Sequence, residues 1–437
     1  VSETPVGLSP LGRCLIAAGL ASAVCAVVLA ERDLLRIGVF AVALPLIAAL
    51  LARLSRRSVT ARRTLLPARV SRGDTAHAEI ELVQGRLTGG TAGPSPVAFV
   101  RSLLGPFLGT GRLELTDVVP DALGHSPRLA VTLDRGGRPT HVRYPIVPAV
   151  RGRHQIGPLT ARFADPLGMA EYDRDLAGRT ALTVLPRVTA LRGLPQGLGR
   201  GEGDAGSTGL RRGPGALDAM VREYQAGDPL RTVHWRSTAR RDELMVRLEE
   251  RPWHGGVTVM LDRRAQAHRG LGAQSSLEWA VELAASVCCH LTRRGRRVTL
   301  VGEDGVVLAH GRDVDGLLDT LALLRPTTQP TLVPGVHDEG ELVAILGAVE
   351  PAELEPLTRL WPGGHAHAVL LDVASWSPGA APGGRGAGGG PCPPMSPPAR
   401  VLTEAGWTVL VGTAGRTHDD VWDEFCRRLP LHIRTRS

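Results

Sequence analysis

The sequence predicts a membrane helical hairpin, then a small β-sandwich-like domain, then an α/β domain with a mostly parallel sheet. Three observations carry that fold class. Two long apolar runs, Leu11 to Ala30 and Leu34 to Leu54, open the chain. Between residues 59 and 190, short β-type stretches are punctuated by Gly and Pro, and no helical period competes with them. From Gly256 onward strand-like and helix-like stretches alternate, the pattern of a parallel sheet covered by helices. The boundaries that follow are 1–58 for the hairpin, 59–190 for the β-rich domain, 191–219 for a Gly-rich linker and 220–437 for the α/β domain with the segment that introduces it.

The hairpin is argued from length. At about 1.5 Å per residue, a helix over each apolar run spans a hydrocarbon core of about 30 Å. Arg13 is placed to snorkel at the edge of the first run, Arg36 lies near the start of the second, and Pro45 is tolerated inside it. The charged turn Glu31-Arg32-Asp33 separates the two runs. Arg53, Arg56, Arg57, Arg62, Arg63, Arg69 and Arg72 follow with no acid among residues 53–72, which predicts that this end, and hence both termini, face the cytoplasm of a plasma-membrane protein. A signal peptide followed by a buried helix accounts for the first run and leaves the second unexplained.

Charge and cysteine usage exclude other classes. All 51 basic residues are Arg, and the net charge is +8. Residues 1–72 hold ten Arg against Glu3, Glu31 and Asp33, so +7 of that charge flanks the apolar runs. A nucleic-acid binder concentrates basic residues on its folded domain, and none is predicted here. The six cysteines, two within the apolar runs and two adjacent, form no disulfide framework.

In the β-rich domain Ala76–Val83, Leu129–Leu133, Val142–Val147 and Ala181–Leu185 read as strands of an antiparallel sandwich, with Gly85–Pro96 as a long mobile loop. In the α/β domain Val257–Leu261 reads as a buried strand and Leu277–Arg294 as a helix with Leu277, Ala280, Val281, Ala284, Val287, Cys288 and Leu291 on one face. Arg297–Val301 is a predicted strand, Val314–Leu324 and Leu342–Val349 predicted helices, His367–Asp372 and Trp407–Gly412 strands, and Asp419–Leu429 a last helix. The Gly/Pro tract 378–398 is predicted to be disordered.

The densest segment is REYQAGDPLRTVHWRSTARRDELMVRLEE, Arg222 to Glu250. Gly227 permits a turn, Asp228 can cap a helix and Pro229 suits its first position, so a short helix is expected from about Pro229 to Ala239. Leu244, Val246 and Leu248 then alternate as in a strand. At Arg222, Tyr224, Gly227, Asp228, Arg231, His234, Trp235, Thr238, Ala239, Arg240, Leu244 and Arg247 the run resembles the signature of the bacterial family called domain of unknown function 58. Arg151-Gly152, Gly157-Pro158 and Asp165-Pro166-Leu167-Gly168, within Arg143–Met169, are similar to what precedes that signature in the family. The resemblance implies a von Willebrand factor A-like domain beyond the signature. It also implies an adaptor or scaffold role beside a MoxR-type AAA ATPase, with a transglutaminase-like membrane protein as a further partner, in protein maturation or envelope homeostasis. No reaction and no cofactor come with it.

The A-like fold starts its metal site with an Asp at the end of the first strand and two hydroxyls at alternate positions after it. Asp262 is correctly placed, but Arg264 and Gln266 stand where the hydroxyls belong, and a hard cation needs oxygen ligands. No metal is therefore expected, although Asp372, also at a strand's carboxyl end, is placed to converge on Asp262. A membrane-surface hydrolase is the rival reading, through Asp228, His234 and Ser237. Those three crowd into ten residues, whereas triads are assembled from distant segments. Cys288, Cys289 and His290 are consecutive, so their helical directions diverge and one metal cannot easily take all three. The balanced charges of the signature fit a structural ion-pair network and a docking surface equally.

Overall fold

The computed structural model describes residues 7–54, 59–84, 112–133, 138–164, 167–195, 198, 221–223, 238–239, 243–247, 256–335, 340–361, 366–377 and 396–428. The chain divides into two compact units. One runs to Arg187 and takes in Leu321–Leu324; the other comprises Val188–Thr320 and Arg325–Ser437.

In the first unit a short strand, β1 (Gly7–Leu8), leads into α1 (Pro10–Leu29), and α2 (Arg32–Leu54) returns antiparallel to it. Ser9 caps α1 by accepting the Gly12 N–H at 3.2 Å, and Pro10 takes a first-turn position whose N–H has no helical partner. The helices touch through glycine. A Cβ on Gly19 would stand 2.9 Å from the Gly38 carbonyl oxygen, and one on Gly38 would stand 2.9 Å from that of Gly19. Pro10–Leu29 and Arg32–Leu50 each reach a mean hydropathy of 2.0. A soluble core helix this apolar would be covered, yet Val27, Val28 and Phe40 are 76, 77 and 67% exposed. Both helices are therefore long and apolar enough to cross a membrane.

The rest of this unit is β structure: β2 (Val59–Leu66), β3 (Arg69–Ser71), β4 (Ala76–Gln84), β5 (Arg112–Asp117), β6 (Arg128–Thr132), β7 (Thr140–Ile146), β8 (Gly152–Ile156), β9 (Leu159–Ala164), β10 (Ala170–Ala177) and β11 (Thr180–Leu185). They form an antiparallel sheet in the order β1-β10-β9-β5-β6, a second in the order β2-β4-β7, and a third in the order β3-β11-β8. The expected antiparallel sandwich needs one correction, because β3 and β11 pair in parallel. Strand direction is set by distant chain pairing, and local alternation cannot report it. Alternate residues such as Ile80 and Leu82 of β4 and Leu113 and Leu115 of β5 turn inward to one core. The predicted loop Gly85–Pro96 lies outside the described residues.

In the second unit β12 (Val221–Glu223) and β13 (Met245–Arg247) form an antiparallel ribbon. Then come β14 (Gly256–Leu261), α3 (Ser276–Arg293), β15 (Arg297–Gly302), β16 (Val307–Gly311), α4 (Val314–Leu323), β17 (Glu341–Leu346), α5 (Pro351–Leu360), β18 (Ala366–Leu371), α6 (Pro397–Glu404), β19 (Thr408–Gly412) and α7 (His418–Arg427). The sheet order is β16-β15-β14-β17-β18-β19, parallel throughout except for the edge strand β16. Its first strand is therefore central and the order reverses between β14 and β17.

One expectation fails here. Leu342–Val349, predicted as a helix, begins as strand β17, every residue of which is buried. A continuous apolar run has no period to decide between the two, and β-branched Val343 and Ile345 suit the strand. The helix lies just beyond, started by Pro351 and a capping box in which Glu350 and Glu353 exchange side-chain and backbone bonds. The segment read as a linker from Leu191 begins packed: Leu191 and Leu198 are buried, and the Gly193 carbonyl accepts a bond from His290 at 2.7 Å. Residues 378–395 and 199–220 lie outside the described residues.

Candidate functional site

Ligands of open α/β sheets bind beyond the carboxyl ends of the strands, where the order reverses. In this chain that crevice is occupied by the chain's own charges. Asp262, just past β14, is fully buried. Its Oδ1 accepts from Arg264 Nε and from the Arg264 backbone N–H, both at 3.0 Å, and its Oδ2 accepts from Arg264 Nη2 at 3.0 Å and from the Gly347 N–H at 3.2 Å. Arg264 reaches on to Glu353 of α5 at 2.5 Å and to the carbonyls of Pro330 and Ala348, each at 3.3 Å. Burial opposes the guanidinium's charge, but Asp262 and Glu353 raise its pKa further. The close approach at Gly347 requires glycine, since a Cβ there would collide with the Ala267 carbonyl oxygen.

A second fork stands beside the first. Arg263 grips Glu303, at the end of β15, through Nε at 2.9 Å and Nη2 at 3.3 Å, while Thr327 donates to the same carboxylate at 2.7 Å. Burial works against this carboxylate, but hydrogen bonds from Thr327, from its own backbone and from Arg263 hold its pKa below the ordinary value. Gln266 turns away from Asp262 and donates to the Pro330 carbonyl at 2.5 Å.

The positions where a divalent cation would need hydroxyls are thus held by a guanidinium and an amide that point their donors at the oxygens. These donors do not fit a metal. Among the described residues, no three His, Cys, Asp or Glu side chains gather to hold one. Asp372 is exposed beyond β18, with β17 between it and Asp262, and does not join this network. Titration of the full chain with magnesium or manganese is expected to show no saturable heat below millimolar concentration; micromolar binding lost in Asp262→Ala would contradict this.

His268 completes the floor of the crevice. Its Nε2–H donates to the Asp262 carbonyl at 2.8 Å, and its Nδ1 shares a hydrogen bond at 3.0 Å with Ser276 Oγ, which also accepts the Arg269 N–H at 2.9 Å. The ring is buried in this network. Burial chiefly, with the Arg264 charge adding to it against the pull of Asp262, lowers its pKa below the usual 6.5. The unfolded chain therefore binds a proton that the folded chain refuses, and stability present above pH 6.5 is lost as pH falls below it. Denaturation curves at pH 7.5 and 5.5 should show that loss, and His268→Gln, which takes no proton, should lose less over the same interval. An identical loss in both proteins would exclude His268 as the source.

The signature is described only in part. Arg222 and Arg247 lie on adjacent rungs of the β12–β13 ribbon, in the pairs Arg222 with Val246 and Val221 with Arg247. Thr238 and Ala239 are helical, as the capping pattern suggests, and Leu244 is exposed. Tyr224, Gly227, Asp228, Arg231, His234, Trp235, Ser237 and Arg240 lie outside the described residues, and with them the side chains of the hydrolase reading. Cys288 and Cys289 are buried in α3, and burial raises both thiol pKa values, the state of inert structural cysteines. Arg263, His268, Ser276, Glu303 and Glu353 were not singled out from the sequence; Arg263 and Glu303 carry a local signal, as charges directly after apolar strands.

Fold and crevice together define a protein with two N-terminal helices long and apolar enough to cross a membrane, and a mostly parallel α/β unit closed by internal Arg–carboxylate forks. Residues 220–326, from the signature to just past α4, match the family model described as "Protein of unknown function DUF58". That match supports the resemblance read from the signature. The chain is also 24% identical over 152 residues to "Uncharacterized protein YeaD" of Bacillus subtilis (strain 168), a match covering 35% of this chain and 36% of that relative. The chain thus matches little more than a third of the relative's length.

Proposed function

We propose that this is a membrane-anchored, non-catalytic interaction protein that works with a MoxR-type AAA ATPase, and with a transglutaminase-like membrane protein, in protein maturation or envelope homeostasis. The observation that carries the non-catalytic part is the crevice: Arg264 saturates Asp262 where a ligand or metal would sit. The degenerate von Willebrand factor A-like reading of the second unit is supported by the same residues, with Asp262 ending the first and central strand of a mostly parallel sheet.

Pairing of β1 with β10 supports an uncleaved two-span hairpin. The residues just before α1 form the edge strand of the sheet that follows α2, with Gly7 opposite Glu171 and Leu8 opposite Ala170. Both ends of the hairpin therefore lie on one side of the membrane, and cleavage after α1 would strip that strand. The Arg excess places this side in the cytoplasm, where an AAA ATPase works. Affinity capture of the tagged full chain from detergent-solubilised membranes tests the reading. A MoxR-type ATPase identified in the captured material, and absent from a mock capture, is the expected result; a chain recovered from the soluble fraction without any ATPase would overturn it.

A further inference from the structure

The Asp165-Pro166-Leu167-Gly168 motif has no role in the proposed partnership, yet its described residues meet the first turn of α1. Ser9 Oγ donates to the Gly168 carbonyl at 2.6 Å, and the Ser9 N–H donates to the Met169 carbonyl at 2.9 Å. A Cβ on Gly12 would collide with that Met169 oxygen, so the turn leading into β10 sits directly against the helix. Leu167, an apolar residue at the tip of this clasp, is 55% exposed.

The depth of the clasp follows from the length of α1. Its 20 residues span about 30 Å, so the whole helix is needed to cross and its first turn stands at the headgroup boundary. Arg13 marks the same level. Its side chain is exposed and folds back toward the N-terminus, where Nε donates to the Leu8 carbonyl at 3.0 Å. That is the direction a snorkelling arginine takes to leave hydrocarbon for the phosphate layer.

We propose that the turn Leu167–Met169 is a membrane-contact element, with Leu167 inserted at the boundary between phospholipid headgroups and acyl chains beside the start of α1. The partner is the bilayer itself, and the proposal rests on reading α1 and α2 as membrane-spanning helices. The clasp then fixes the β1-β10 edge of the sheet at the membrane surface through hydrogen bonds as well as through chain connection. Leu167 supplies apolar surface for the lipid side and Arg13 a cation for the phosphate side.

The test places a small environment-sensitive fluorophore, as an unnatural amino acid, at one position of the full chain reconstituted into phosphatidylcholine–phosphatidylglycerol vesicles. Position 20, an exposed leucine halfway along α1, reports the middle of the bilayer, position 167 the clasp, and position 118, an exposed valine just after β5, the aqueous surface of the β unit. Lipids with a quencher near the headgroup should quench position 167 at least severalfold more than position 118, and deep quenchers should quench position 20. Deep quenching at 20 with position 167 behaving like 118 would overturn the contact while leaving the hairpin intact. No quenching at 20 would overturn both.

Discussion

Replacing Arg264 with methionine is expected to destabilise the α/β unit by about 3–5 kcal/mol, the cost of breaking a buried ion pair from one side. The substitution nearly keeps the side chain's volume and removes, among the described residues, the one side chain that donates to the Asp262 carboxylate. The carboxylate would keep two backbone donors, from residue 264 and Gly347, and no countercharge. Glu353 and the Pro330 and Ala348 carbonyls would lose the bond from Arg264 as well, although Gln266 still donates to Pro330 and the Glu350 N–H to Glu353. Adding Asp262→Asn to the variant should recover part of the loss, because a neutral amide oxygen still accepts the two backbone bonds without a buried charge. Tryptophan fluorescence during denaturation reads this unit selectively, since all seven tryptophans of the chain follow Val188. An Arg264→Met midpoint unchanged from that of the parent would mean that the fork is not what closes the crevice.

The two forks also mark where sequence reading stops. Arg264 and Asp262 are two positions apart, and their conflict with a cation was visible in the chain alone. Glu303 and Glu353 are 40 and 89 residues from the arginines they bind, and only the order β15-β14-β17 brings them to one end of the sheet. Periodicity reported α3 almost to the residue, because its apolar face repeats as a helix must. The same method misread β17, where a uniform apolar run carries no phase. Both apolar spans were legible by length, but the clasp between Ser9 and Met169 was not, since nothing in either segment names the other.

Arg63→Met is expected to cost the β unit a similar amount, about 3–5 kcal/mol, although the sequence presents Arg63 as one more positive charge flanking the membrane. The structure corrects that reading. Arg63 and Asp117 side chains are 1 and 0% exposed and meet at 2.5 Å, so this charge faces no lipid. Tyr144 donates to the other carboxylate oxygen at 2.6 Å; burial foremost, and then that bond, raise the pKa of its hydroxyl. The guanidinium also donates to the Ile156 carbonyl at 2.7 Å, to the Gly178 carbonyl, and to Thr180 Oγ1 at 3.2 Å. One side chain from β2 thereby reaches β5 and β8, a member of each of the other two sheets. Methionine fills the space but leaves Asp117 charged without a countercharge and two carbonyls without this donor. With no tryptophan before Val188, amide hydrogen exchange in β4 and β5 is the measurement. Protection there should fall by the stated amount while tryptophan fluorescence from the α/β unit stays put. Exchange in β4 and β5 matching that of the parent would show that the three sheets hold together without the pair.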